Sequence, residues 1–327
     1  MRLVTRSDFD GSVCAALLLE LGLIDDILFV HPKDLQDNKI PVGEQDILAN
    51  VPYVCGCGMW FDHHSSECER LQLKGPVAGM SVTAPSAAQV VFDYFSGRPP
   101  YDRRIKRFAP LVAMAGIVDA AQFDRQDVLD PQGLALLAFI SDPRTGLGRK
   151  RTFRISNLDL MKRLPQLMRS LSVEEILALP DFRERIDFYR TEKARYRELL
   201  SHRSRAEGDA ILIDFRGVEE MPVGNRFLEY VLHPAQNISI RVADGLRRQF
   251  AMISAGHSIF NRTSQVDVGA LMLRFGGGGH ARVGTCQIAY ADVDRVMGEM
   301  LAEVHAACGG GSPASNSTCC GSGPRPS

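Results

Sequence analysis

Apolar and polar positions divide the chain into two regimes. Over residues 1–140, short apolar runs alternate with segments of helical spacing. Residues 1–5, 27–30, 46–48 and 59–61 are runs of strand type, the last ending at Asp62. Residues 12–21 place Cys14, Leu17, Leu18 and Leu21 on one helical face. Pro85 suits the first turn of a helix through Phe95, and 103–121, rich in Ala, Leu, Val and Ile, reads as one further helix. Such alternation predicts an α/β fold with a mainly parallel sheet covered on both faces. Ligands of such sheets bind beyond the carboxyl ends of the strands. Asp8, Asp10, Asn50 and Asp62 all fall there on this reading.

From residue 142 the pattern changes. Residues 142–154 form a basic loop with Arg144, Arg149, Lys150, Arg151 and Arg154, which reads either as a solvated loop or as an electrostatic guide for a polyanion. Phe182, Ile186, Tyr189, Tyr196 and Leu200 then make one apolar seam along a connecting helix. Strands are expected at 210–214, 238–242, 250–254 and 283–289, with helices at 266–274 and 293–306. The expected organisation is a domain over 1–180, a helical linker over 181–206, a smaller α/β domain over 207–307 and a disordered Gly/Ser/Pro/Cys tail over 308–327. The amphipathic connector leaves room for a homodimer.

Composition narrows the class. The 327 residues are 45% hydrophobic and 24% charged, as in an ordinary globular protein. A formal net charge of −1 does not mark the whole molecule as a nucleic-acid binder, so any anion site must be a local concentration of charge. The N-terminus does not read as a signal peptide and no apolar run reaches the roughly 18 residues of a membrane span, so a cytoplasmic protein is expected. Its eight cysteines then read as reduced thiols. Cys55, Cys57 and Cys68 flank Asp62-His63-His64, but their spacing is not that of a usual zinc site, and inert thiols are the favoured reading.

Two segments carry the candidate chemistry. Asp62-His63-His64 groups a carboxylate with two imidazoles, ligand types that suit Mn²⁺, Fe²⁺ or Zn²⁺. Gly276-Gly277-Gly278-Gly279-His280 reads as a loop with positive-φ positions, either a flexible turn or an anion nest with a side-chain donor. Asp8-x-Asp10-Gly11 follows the first strand. It offers two metal-facing carboxylates, or alternatively a helix cap formed by Asp10 and Ser12. Asp119 ends a very apolar helix, where a buried carboxylate is costly unless paired or metal-bound. Metal-binding groups at one end of the chain and a phosphate nest at the other suggest phosphate-ester chemistry.

At these residues the chain resembles the DHH phosphoesterase family with its C-terminal DHH-associated (DHHA1) domain. The match covers residues 1 to about 305, with a family motif at both ends in the right order. The resemblance implies a parallel-sheet domain holding one or two Mn²⁺-type ions and a smaller domain carrying a glycine-rich phosphate site. It also implies hydrolysis of short nucleotides, linear or cyclic, with polyphosphate as the alternative substrate. The segment 256–263 together with Gly276–His280 looks like a subfamily often labelled exopolyphosphatase.

Carried over position by position, the resemblance makes Asp8, Asp10, Asp62, His63 and Asp119 metal ligands, with Asn50 as a further candidate. Arg6, Asp8 and His64 take catalytic roles, and Arg262, Gly276, Gly277, Gly278, Gly279 and His280 bind substrate. Two positions depart from the family: Arg6 stands where the first motif has a histidine, and Asn50 where the second has a bridging aspartate. Both departures fall on the first metal position, so the resemblance implies that this position is weakened or lost and that the second, held by Asp10, His63 and Asp119, survives with one ion. A catalytically weak nucleotide-binding sensor is the reading of another class that these departures raise.

Overall fold

The computed structural model describes residues 1–64 and 78–309, with side chains through residue 307. Cys68, Cys319, Cys320, the Cys308 side chain and the expected tail beyond 309 lie outside the described residues. The chain divides into two units, one of residues 1–202 with 219–232, the other of 203–218 with 233 onward.

The first unit is built on strands β1 (Arg2–Thr5), β2 (Asp26–Phe29), β3 (Asp46–Ala49), β4 (Met59–Asp62) and β5 (Gly79–Ser81). Their order is β2-β1-β3-β4-β5 and every pairing is parallel. The chain leaves β1 first toward β2 and later toward β3, so the switch point of the sheet lies between β1 and β3. Arg6, Asp8 and Asn50 follow those two strands directly. One face is packed by Val4, Leu35, Leu48, Val51 and Trp60. Trp60 Nε1 donates to Val51 O at 3.0 Å and ties β4 to the turn after β3.

Helix α1 (Phe9–Leu21) is buried on nearly every side, which explains its apolar surface all round. It begins at Phe9 with Asp8 as its cap, the Asp8 carboxylate accepting from Gly11 N at 2.9 Å. This corrects the expected start at Ser12 and the alternative in which Asp10 and Ser12 form the cap. Asp8 alone has the extended backbone an N-cap needs, while Asp10 sits inside the first turn. Gly11 is required here, because a Cβ would lie 2.1 Å from Arg6 O. The short helix α2 (Pro32–Gln36) precedes β3. Helix α3 (Ala87–Phe95) is capped by Ser86, whose side chain accepts from Gln89 N at 3.1 Å, so Pro85 precedes the helix and is not in its first turn.

The single helix expected at 103–121 is broken into α4 (Asp102–Ile105), a 3₁₀ turn and α5 (Ala109–Asp119). Pro110 cannot donate within a continuous helix and suits the first turn of a new one. Helices α6 (Arg125–Leu129), α7 (Gly133–Ser141), α8 (Asn157–Ser170) and α9 (Val173–Ala178) follow, then the long α10 (Pro180–Arg203). Helix α1 packs against α3, α5 and α8. Within the basic loop the backbone makes two 3₁₀ turns, Pro143–Thr145 and Leu147–Arg149.

The second unit has a mixed sheet in the order β10-β11-β9-β8-β7-β6. Its strands are β6 (Ser204–Glu207), β7 (Ala210–Asp214), β8 (Ile238–Asp244), β9 (Ala251–His257), β10 (Gly278–His280) and β11 (Val283–Ile288). Only β7 and β8 pair in parallel. Helix α11 (Leu228–Leu232) belongs to the first unit, whereas α12 (Val268–Leu273) and α13 (Val293–Gly309) lie in the second. The core includes Ile240, Ile253, Leu271, Met272, Val296 and Met300. Among the described residues no helix is long and apolar enough to cross a membrane.

Candidate metal centre

Four chain segments meet at the carboxyl ends of β1, β3 and β4. The turn after β1 brings Arg6, Asp8 and Asp10; the end of β3 brings Asn50; β4 delivers Asp62, His63 and His64; and the last turn of α5 supplies Asp119. Asp10, His63 and Asp119 each present a ligand atom within 4.8 Å of the others, and Asp62, His63 and His64 do the same.

Asp10 is fully buried, and its two carboxylate oxygens accept from Ala87 N at 2.9 Å and Ala88 N at 2.8 Å. The start of α3, whose dipole favours an anion, thus aims at Asp10. Burial and the neighbouring Asp8 outweigh these bonds and push the Asp10 carboxyl up to about 7. Burial, then Asp10 and Asp8, also raise Asp119, against the opposing pull of Arg144 and Arg6. Its side chain keeps 20% of its surface open, so this carboxylate faces the solvent side of the cluster. Carboxylates held this close retain a proton until a cation replaces it.

His63 Nδ1–H donates to Ala84 O at 3.3 Å, which leaves the lone pair on Nε2. Nε2 is buried without a hydrogen-bond partner, although Asp119 Oδ2 lies 3.4 Å away. Burial first, and then His64, lower the His63 pKa and keep the ring neutral. A neutral imidazole with an orphaned nitrogen facing two carboxylates is the donor set of a transition-metal site, and these residues fit a divalent ion. His64 differs: its Nδ1 bonds Asp62 Oδ1 at 3.0 Å, and this bond raises its pKa, favouring the charged ring.

Asp8 has three partners. Besides capping α1, its Oδ1 accepts from Asn50 Nδ2 at 3.2 Å, and its Oδ2 pairs with Arg6 Nε at 3.2 Å. The two residues that depart from the family pattern therefore converge on one carboxylate. Asn50 adopts a left-handed backbone (φ 57) and its Oδ1 is buried without a partner.

The remaining sequence candidates lie in the second unit. Gly276 (φ 73) is the only residue of the glycine run with positive φ. Gly276 N and Gly277 N close the end of α12 by donating to Leu273 O and Met272 O, a helix-capping use of glycine. Gly278–His280 is a strand, not the loop expected, because it pairs with Val283–Thr285. Glycine is needed at 277 and 279, where a Cβ would meet Thr285 O at 2.1 Å and Val283 O at 2.3 Å. His280 is exposed, and Arg262 Nε donates to Ile259 O at 3.0 Å. Cys14, Cys55, Cys57 and Cys286 are free thiols, and no cysteine enters a metal-capable group among the described residues.

Sequence reasoning missed the backbone groups of Ala84, Ala87 and Ala88. The Ser86-x-x-Gln89 spacing, a helix-start signal, pointed to the last two. It also treated Arg144 only as part of a basic loop. Arg144 bonds Asp142 through Nε at 2.8 and 3.0 Å, and its positive charge acts on Asp119.

No family model matches this chain, and no curated protein sequence matches it. Solved structures do. The chain is 42% identical to the pGpG-specific phosphodiesterase PggH from Vibrio cholerae, with 94% of this chain and 99% of that chain covered and a TM-score of 0.81. RecJ from Thermus thermophilus, in complex with Mn²⁺, shares 16% identity at a TM-score of 0.53, covering 93% of this chain and 52% of that chain, a likeness of fold alone. With a carboxylate–imidazole cluster at the switch point of its parallel sheet, the chain belongs to the DHH phosphoesterase family.

Proposed function

We propose that the chain is a Mn²⁺-dependent phosphodiesterase that hydrolyses short linear dinucleotides of the pGpG type. The observation that carries this reading is 42% identity, over nearly the whole of both chains, to a pGpG-specific phosphodiesterase. The Asp10–His63–Asp119 cluster supports it, because its donors suit a divalent transition metal. Asp10, His63 and Asp119 would hold one ion, with Asp62 and the Asn50 amide beside it. A bound Mn²⁺ supplies positive charge for the phosphoryl oxygens and lowers the pKa of a water.

The chain's own residues do the rest. Asp8, held by Gly11 N, Asn50 and Arg6, is fixed to accept a proton from the attacking water. Arg6 and His64 neutralise charge that develops on the phosphoryl oxygens. Arg6 and Asn50 stand in for the first metal of the two-metal members: a guanidinium clamps phosphate well but cannot acidify water. In the second unit, Arg262, Gly276–Gly279 and His280 are the substrate-binding residues that the family resemblance assigns.

The test is product analysis with Mn²⁺-loaded protein on pGpG, a cyclic dinucleotide and polyphosphate. The expected result is guanosine monophosphate from pGpG. Phosphate release from polyphosphate with no dinucleotide cleavage would select an exopolyphosphatase instead. Tight nucleotide binding without turnover on any substrate would select the sensor.

A further inference from the structure

The segment 219–232 returns to the first unit and seats a second arginine beside Arg144. Three bonds fix it: Gly224 N donates to Thr145 O at 3.2 Å, Arg149 Nη2 to Met221 O at 3.4 Å, and Asn225 Nδ2 to Val128 O at 3.2 Å. Phe227 packs against Phe123, with ring centroids 5.8 Å apart, and Phe123 stacks on Phe139 at 4.9 Å. Both arginines therefore sit on rigid supports.

Their bonding leaves them poised for an anion. Arg144 spends its Nε on Asp142, and among the described residues its terminal amino groups have no partner. The Arg226 guanidinium lies 4.2 Å over the Phe227 ring, and its buried Nε has no hydrogen-bond partner. Burial, followed by the like charge of Arg144, pulls Arg226 down to about 10 despite Asp142, Tyr230 and Glu229. A half-buried guanidinium beside a second, partly exposed one, with its buried Nε short of an acceptor, is costly unless an anion completes it. Arg144 also feels the charges of Asp8 and Asp119, so it borders the metal centre, with Arg226 beside it.

We propose that Arg144 and Arg226 form an anion subsite beside the metal centre that receives the terminal phosphate monoester of a short linear nucleotide. This rests on the phosphodiesterase reading above and adds its selectivity. A monoester dianion matches two guanidiniums, each able to offer paired N–H groups to phosphate oxygens. The glycine run is less suited to that phosphate, since two of its N–H groups are already spent closing α12. The enzyme then reads the 5′-phosphate of its substrate, and its product class is nucleoside monophosphates.

The test compares wild type, Arg226→Gln and Arg226→Lys, all Mn²⁺-loaded, on pGpG and on the same dinucleotide lacking the 5′-phosphate. Wild type prefers the phosphorylated form. Arg226→Gln loses about tenfold or more of that preference, chiefly through KM on the phosphorylated substrate. Arg226→Lys recovers part of it, and thermal melting of all three shows whether the fold survives. No preference in wild type, or a preference that Arg226→Gln leaves intact, overturns the subsite; so does an equal loss on both substrates. If wild type cleaves neither, the phosphodiesterase reading fails by itself. The subsite is then judged by calorimetry with guanosine 5′-monophosphate: about tenfold weaker binding in Arg226→Gln supports it, and equal binding rejects it.

Discussion

His63 shows how little freedom the centre leaves a side chain. Ala84 O takes the Nδ1 proton, burial keeps the ring neutral, and Nε2 faces Asp10 and Asp119 without a bond of its own. His63→Ala should therefore lower bound Mn²⁺ and cut turnover by about a hundredfold or more, read by elemental analysis beside a rate assay. Asp10 adds a pH dependence whose sign is unusual. Its pKa is raised to about 7 in the folded protein, against roughly 3.9 for a free aspartate. A carboxyl raised on folding contributes stability below the unfolded value and loses it as pH rises through the folded one. Metal-free protein should melt at progressively lower temperature from about pH 5 to pH 8, with the raised Asp119 acting in the same direction. Mn²⁺ affinity should climb over the same range, because the ion competes with that proton. Flat melting profiles with and without Mn²⁺ would contradict this.

At the scale of elements, two contacts position the site from outside it. Gly11 lets α1 start tightly against β1, where a Cβ would stand 2.1 Å from Arg6 O. Gly11→Ala must push the Arg6–Asp10 turn aside, at a cost of about 1–3 kcal/mol in urea unfolding and with loss of Mn²⁺ binding. Trp60 ties β4 to the turn after β3: its ring meets Tyr53 edge-on at 5.4 Å, and its N–H holds Val51 O, next to Asn50. Trp60→Phe leaves that carbonyl unsatisfied and should cost about 1–2 kcal/mol, followed by circular dichroism since the chain has one Trp. These elements were partly legible beforehand. The runs that became β1 to β4 were visible as apolar stretches between turn residues. The short strands β5, β6 and β10 were not, because three or four residues carry too little pattern and exist only through their partners.

For the whole molecule, the departures at Arg6 and Asn50 concern metal count. Both bond Asp8, where the resemblance places the first metal of two-metal members. The protein should hold close to one Mn²⁺ per chain, and the double variant Arg6→His, Asn50→Asp should raise that toward two. Two tightly held ions in the unaltered chain would refute the assignment. Thermal melting gives an independent reading: excess Mn²⁺ should raise the midpoint by several degrees, since an ion that binds only the folded state stabilises it by mass action.

The α/β class, the family and the carboxylate–imidazole character of the centre were all readable from residue order. Strand periodicity and motif chemistry are local properties, and Asp8, Asp10 and Asp62-His63-His64 each sit next to their own strand. Partnerships across the chain were not readable. That Asp10 would accept from Ala87 and Ala88, that Arg6 and Asn50 would share Asp8, and that residues 219–232 would return Arg226 to Arg144 all depend on which segments pack together. The glycine run makes the same point. Four glycines announce a loop with positive-φ positions, but pairing with β11 and the end of α12 turned most of them into strand and helix cap. Propensity acts within a few residues, whereas long-range pairing is decided by the burial of whole faces, and tertiary packing alone supplies that.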